Sequence, residues 1–305
     1  MSSLLNGTSS LPGLGVIRVE GEEGAKFLQG QLTQDFALLK PDEARLAAFC
    51  TAKGRMQASF IGFQCTPTEI LLVCSLDILA PTLKRLSMFV LRAKARLSDA
   101  TADFRIVGLA GDACAAVSAG LAQPWSKADV GAAQVVRLYP ADGQARALWV
   151  APADQPAPAG TPLAAELWQW SEVRSGIATV TAPIVEAFVP QMLNYESIGG
   201  VNFKKGCYPG QEVVARSQFR GTLKRRAFLV HCGSLLAAGQ EVFQAADPQQ
   251  PCGMVAQAAP APGGGWDAIV SMQITAAEAG GLTAGSATGP ALTLLPLPYL
   301  LMTDI

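Results

Sequence analysis

Apolar and polar residues follow two different periods along this chain, and the changes between them mark its elements. Val16–Val19 reads as a short strand. Gly21–Gly24 leads into a helix with Ala25, Leu28 and Leu32 on one stripe. Leu46–Cys50, Met56–Phe63 and Glu69–Cys74 read as strands. Asp77 is placed to cap a helix running to about Phe89, with Leu79, Leu83 and Leu86 inward and Pro81 confined to its first turn. Arg105–Leu109 predicts another strand, and Asp112–Leu121 an Ala-rich helix. Val135–Tyr139 and Ala145–Val150 flank Asp142-Gly143, a two-residue hairpin signal. The Pro/Ala linker Pro152–Pro162 precedes a helix over Leu163–Ser175. Beyond residue 222 short β-like runs alternate with Gly and Pro: Ala227–Cys232, Gly239–Phe243, Met254–Ala258 and Ala268–Met272. That spacing predicts a small C-terminal antiparallel barrel, and the whole reads as α+β.

Composition narrows the classes. The 305 residues are 50% hydrophobic and 15% charged, which excludes a disordered chain and suffices for two or three domains with cores. A net charge of −1 leaves no global basic field for nucleic acid, so any RNA role needs a local patch or a partner. The seven cysteines contain no C-x-x-C pair. Neither a disulfide scaffold nor a zinc site is indicated, and reduced thiols in a cytoplasmic protein are expected. Residues 1–15 lack a signal-peptide pattern, and no apolar run is long enough to span a bilayer. With His231 as the only histidine, a Ser-His-Asp triad or a multi-histidine metal site is improbable.

The segment from Lys204 to Arg216 (KKGCYPGQEVVAR) carries the most chemistry. Gly206 and Gly210 permit positive φ, Pro209-Gly210 signals a turn, and good helix formers start at Gln211. Cys207 therefore falls just before a helix N-terminus with two lysines upstream, a setting that favours thiolate. It suits a nucleophile, a metal ligand or a redox-active thiol, against the ordinary reading of a lone cysteine as a small buried hydrophobe. Lys224-Arg225-Arg226 with Arg216 and Arg220 forms a basic cluster. It reads as a solvated face at a domain junction, or as a contact for a polyglutamate tail or RNA.

This stretch resembles the K-G-C-Y-x-G-Q-E signature of the YgfZ-type folate-binding proteins, relatives of the glycine-cleavage aminomethyltransferase. Further matches are Phe27–Thr33, Lys53-Gly54-Arg55, Pro190–Asn194, Gly199–Phe203, Phe219-Arg220-Gly221 and Pro296–Tyr299. Pro209 stands where the motif often has Thr, and Thr51 where an Asp often precedes the K-G-[RK] turn. The resemblance implies an aminomethyltransferase-like core (residues 1–50 and 105–222), a ferredoxin-like part (51–104) and a C-terminal barrel (223–305) around a central channel. It implies tetrahydrofolate binding and support of iron–sulfur proteins such as a tRNA methylthiotransferase, with a weak tRNA contact. Cys207 and Lys205 would be the functional pair.

The same resemblance implies folate contacts at Trp168, Arg174 and Gln29. Trp168 lies eight residues before Gly176, at the family's aromatic position, with Trp170 competing for the role. A tryptophan offers a flat apolar face to a pterin or aminobenzoyl ring. Glycine-cleavage relatives carry a pterin-facing glutamate two residues before this glycine, and here that position is Arg174. The difference favours an accessory protein over the alternative, a folate-dependent aminomethyl transferase. One motif cysteine alone cannot hold an iron–sulfur cluster, and Cys50 reads as core.

Overall fold

The computed structural model describes residues 4–118, 120–219 and 223–302. In chain order the first half contains β1 (Gly7–Ser10), β2 (Leu14–Glu20), α1 (Gly24–Gln29), β3 (Ala44–Cys50), β4 (Met56–Thr66), β5 (Glu69–Ser75), α2 (Leu79–Ser87) and β6 (Arg96–Asp99). Then come β7 (Phe104–Ala110), α3 (Asp112–Val117), β8 (Lys127–Val130), β9 (Ala133–Arg137), β10 (Arg146–Pro152) and α4 (Ala165–Arg174). The remainder is α5 (Gln211–Phe219), β11 (Arg225–Cys232), β12 (Glu241–Gln244), β13 (Gly253–Pro260), β14 (Trp266–Gln273), α6 (Ile274–Ala279), β15 (Leu282–Ala284) and β16 (Thr293–Leu295).

Three antiparallel sheets result. The first has the order β3-β4-β5-β2-β6, the second β1-β7-β10-β9-β8, and the third β15-β12-β13-β14-β11-β16. The Asp142-Gly143 signal is realised: both residues take positive φ, 49° and 74°, and the turn sets β9 against β10 with Ala147 opposite Arg137. Such a primed turn matches the twist of the strands it joins. The β3–β4 hairpin straddles residue 50, because Thr51 and Arg55 close its turn by a backbone bond of 2.8 Å. Sheet membership therefore groups β2 and β3 with β4, β5 and β6, in one hydrogen-bonded unit from residue 14 to residue 99.

Two expected helices differ. The helix after Asp77 starts at Leu79, and Asp77 does not cap it. Its carboxylate instead accepts from Ser75 Oγ and from the Ala182 N–H, 105 residues away. The Ala-rich helix stops at Val117, where Ser118 Oγ donates back to Cys114 O at 2.7 Å and offers the backbone an alternative to another turn. In the third sheet, Ala284 N–H donates to Pro290 O and Leu292 N–H to Leu282 O. The segment entering β16 thus runs beside β15, at the sheet's other edge.

Helix α4 is the joint of the molecule. It packs against β13 and β14 of the third sheet, while Trp168 lies over Gly108 of β7 in the second. A Cβ at Gly108 would sit 2.6 Å from three Trp168 ring atoms, so only glycine admits this approach. Trp168 and Trp170 are both buried, and each contributes on the order of 3 kcal/mol by leaving water.

Candidate functional site

The motif loop is a staple with an exposed centre. Lys205 and Tyr208 are buried, whereas Gly206 and Cys207 between them are exposed. The Lys205 ammonium donates to Gln29 O at 2.5 Å and Leu32 O at 2.8 Å, and lies 4.5 Å from the centre of the Tyr208 ring. Burial lowers the Lys205 pKa to about 8, and Asp35 and Cys207 act against that shift. The sequence placed Lys205 upstream of Cys207 as a charge that favours thiolate, and the ammonium and the thiol are near enough to interact electrostatically. Its ammonium also donates to two carbonyls at the end of α1 and just beyond it, and so fixes the loop from which the thiol projects. Gln29 belongs to this clamp: its Oε1 accepts from the N–H groups of Phe36 and Ala37, and its carbonyl from Lys205.

The distant sequence matches converge here. Gly210, at φ +82°, packs so closely on the Lys53-Gly54-Arg55 turn that a Cβ would lie 2.3 Å from Thr51 O and 2.7 Å from Gly54 Cα. Thr33 Oγ1 donates to Gly200 O and Gln34 Nε2 to Gly199 O, both at 2.6 Å. Gln191 Nε2 donates to Val214 O of α5 at 2.7 Å. Tyr299 OH donates to Gly176 O at 2.8 Å, which ties the C-terminal match to the end of α4. Residues Arg220 and Gly221 of the remaining match lie outside the described residues.

A second locus lies beneath α4. Two adjoining cavities, of about 60 and 50 Å³, share Ile61, Trp125, Leu138, Glu172, Ile177 and Thr179 as walls. Trp168 and Tyr195 line the first, and Arg146 and Tyr139 the second. The faces of α4 decide what reaches them. Trp168 and Glu172, four residues apart, share the cavity face. Trp170 and Arg174, also four apart, face the third sheet. Trp170 Nε1 donates to Asp267 Oδ2 at 2.8 Å, and Arg174 pairs with Asp142 at 3.2 Å and with Asp267 at 3.8 Å. Trp168 is therefore the tryptophan at the cavity, and Arg174 is not among the cavity walls.

Glu172 escaped the sequence reading, which counted back from Gly176. Counting one helical turn forward from Trp168 would have found it. Burial pushes its carboxyl pKa up, and Arg146 and the Trp168 indole only partly offset this. Arg146 is buried, 4.5 Å from the centre of the Trp168 ring, with its pKa lowered by burial to about 10. No carboxylate lies within 4 Å of it among the described residues. Its Nε and the Trp168 Nε1 have no hydrogen-bond partner of regular geometry, although that indole is near enough to Glu172 to favour the carboxylate. The Cys50 thiol, itself pushed up to about 12 by burial, lies within electrostatic reach of both Tyr195 at the cavity and Tyr208 in the loop.

Of the basic cluster, Arg220 lies outside the described residues, and three of the others have partners of their own. Arg226 pairs with the buried Glu196 at 2.6 Å, Arg216 pairs with Glu212, and Arg225 turns inward to donate to Cys252 O. His231 Nδ1 sits 2.8 Å from Asp267 Oδ1. Among the described residues, no group of three or more His, Cys, Asp or Glu side chains is placed to hold a metal ion, and no helix is long and apolar enough to cross a membrane.

No family model matches the chain. A tRNA-modifying protein YgfZ of Edwardsiella ictaluri is 33% identical over 232 residues, covering 70% of this chain and 67% of that one. One from Colwellia psychrerythraea is 30% identical over 228 residues, covering 71% and 69%. The glycine cleavage system aminomethyltransferase T of Bartonella henselae superposes with a TM-score of 0.70 over 96% of this chain and 86% of its own, at 14% identity. The chain therefore has the aminomethyltransferase fold.

Proposed function

Because the chain belongs to the YgfZ family of tRNA-modifying proteins, we propose that it is an accessory protein of tRNA modification that binds a reduced folate beneath α4 and acts through Cys207. One observation carries the folate reading. Arg146 Nε and the Trp168 indole N–H are buried without a hydrogen-bond partner of regular geometry, beside two adjoining cavities that the Glu172 carboxyl also lines. Buried polar groups in this condition cost free energy until something completes them. A pterin edge carries adjacent donors and acceptors, so the donor set fits: Glu172 would accept from it, and Arg146 and Trp168 would donate. The room in this conformation is short of the roughly 300–1,000 Å³ usual for a ligand of that size, so wall side chains such as Trp125 must shift on binding. Bound, a reduced folate supplies a one-carbon carrier.

Cys207 has the opposite environment to the cavity: it is exposed on a rigid staple, open to another protein. This supports a role toward an iron–sulfur partner such as a tRNA methylthiotransferase. As a working division, the second sheet with α4 and the motif loop forms the folate-binding core, and the first sheet forms the ferredoxin-like part. Residues from 223 onward form the barrel, a reading supported by the bonds between β15 and the segment entering β16. Titration of the full chain with tetrahydrofolate, followed by tryptophan fluorescence, tests the ligand. Saturable quenching is expected, and its absence at millimolar folate would reject the cavity assignment.

A further inference from the structure

Apart from the cavities beneath α4, an open cavity of about 300 Å³ lies where the Lys53-Gly54-Arg55 turn, on which Gly210 packs, meets the third sheet. Arg55, Arg225, Ser271, Phe188, Met192 and Met254 are among its walls. Three polar groups converge on it. Arg55 donates one Nη1 to Ala187 O at 2.5 Å, and Arg225 donates one Nη1 to Cys252 O at 3.0 Å. Each guanidinium is thereby anchored by one nitrogen, with other donors left over. Neither has a carboxylate within 4 Å among the described residues. Ser271 is 1% exposed, and its Oγ is buried without a hydrogen-bond partner. The single acidic wall residue, Glu241, is exposed, so the cavity keeps a positive balance.

We infer that this cavity binds a phosphate ester of the nucleotide class, with the phosphate between Arg55, Arg225 and Ser271 and the organic part against Phe188, Met192 and Met254. Two guanidiniums and a hydroxyl match a phosphate better than a carboxylate, whose single charge and two oxygens would leave one cation unanswered. The hydroxyl has no other task in the fold, and a buried donor without a partner is a cost that a phosphate oxygen would remove. The apolar wall holds two methionines, side chains that adapt to a flat surface of variable identity. The site shares none of its walls with the cavity beneath α4, so it stands whether or not folate binds there.

The chemistry is the same in a free nucleotide and in one unit of an RNA strand, and calorimetry on the full chain separates the two. Uridine monophosphate should bind saturably and uridine should not. Arg225→Gln should weaken the monophosphate by about tenfold or more, the effect of one charge-assisted hydrogen bond. Ser271→Ala, which removes a hydroxyl bonded to nothing, should weaken it several-fold without lowering the melting temperature. A single-stranded tetrauridylate that binds more tightly than the monophosphate identifies an RNA strand as the source, and equal affinity identifies a free nucleotide. No saturable monophosphate binding at millimolar concentration overturns the inference. So does unchanged affinity in Arg225→Gln or Ser271→Ala whose melting shows them folded.

Discussion

Glu172→Gln should raise stability and weaken ligand binding, whereas Arg174→Ala should lower stability and leave binding nearly unchanged, because the two residues point to opposite sides of α4. The Glu172 carboxyl is raised by burial and has no ion pair within 4 Å among the described residues. A carboxyl raised in the folded state binds more protons folded than unfolded. Its penalty is therefore absent in acid and grows as the pH rises from the ordinary value near 4.3 through the folded one. Each unit of such a shift is worth about 1.4 kcal/mol at neutral pH. Glu172→Gln keeps the shape and removes the charge, so the ligand-free protein should melt a few degrees higher at pH 7, and the gain should vanish near pH 4. The same change removes a charged acceptor for the ligand and should weaken tetrahydrofolate by roughly tenfold to a hundredfold, the worth of a hydrogen bond to a charged group. Arg174→Ala breaks the pairs with Asp142 and Asp267 and should cost about 1–2 kcal/mol of stability. Folate affinity should stay within about threefold, since Asp267 keeps its partners His231 and Trp170 and the cavity walls are untouched. Differential scanning calorimetry and folate titration of both variants settle the matter. Lost folate affinity in Arg174→Ala together with full affinity in Glu172→Gln would refute the reasoning.

Three further outcomes follow from the loop and its clamp. Alkylation at pH 7.5 should label Cys207 first and alone in its fast phase, read by mass spectrometry. It is exposed, whereas burial pushes the Cys50, Cys65 and Cys74 thiols up to about 12. Gly210→Ala should cost about 2–4 kcal/mol in chemical denaturation, because a Cβ at φ +82° meets Thr51 O at 2.3 Å; an unchanged midpoint would mean that the loop and turn are not locked together. Lys205, lowered to about 8 by burial, binds fewer protons folded than unfolded between about pH 8 and 10.5. The stability of the natural protein relative to Lys205→Met should therefore rise across that window. A relative stability that falls there would contradict the buried-ammonium assignment.

What could be read from the sequence was local, and what could not was long-range. Asp142-Gly143 declared its hairpin because two positive-φ positions in a row suit Asp-Gly and few other pairs. The motif from Lys204 to Arg216 announced a turn before a helix, and α5 does start at Gln211. Asp77 misled because a carboxylate that looks like a cap is equally fit to accept an N–H from Ala182. Lys205 was legible as a charge near Cys207, but its hydrogen-bond partners, Gln29 O and Leu32 O, lie 176 and 173 residues away and could not be read from the sequence. Glu172 was legible as a neighbour of Trp168, since the residue four after it on a helix shares its face, while Arg174, which the family pattern pointed to, lies on the other side of α4. The Arg55 and Arg225 cavity was not legible at all, because its walls meet only when β11 and the 51–55 turn are brought together by the fold.

The most direct measurement is the level of 2-methylthio modification in tRNA from a strain carrying Cys207→Ser as its only copy. Sulfur is replaced by oxygen at an exposed position, so soluble protein and folate binding should persist while the modification and the activity of iron–sulfur enzymes fall sharply. Normal methylthiolation and normal iron–sulfur enzyme activity, with the variant present at natural abundance, would contradict the account.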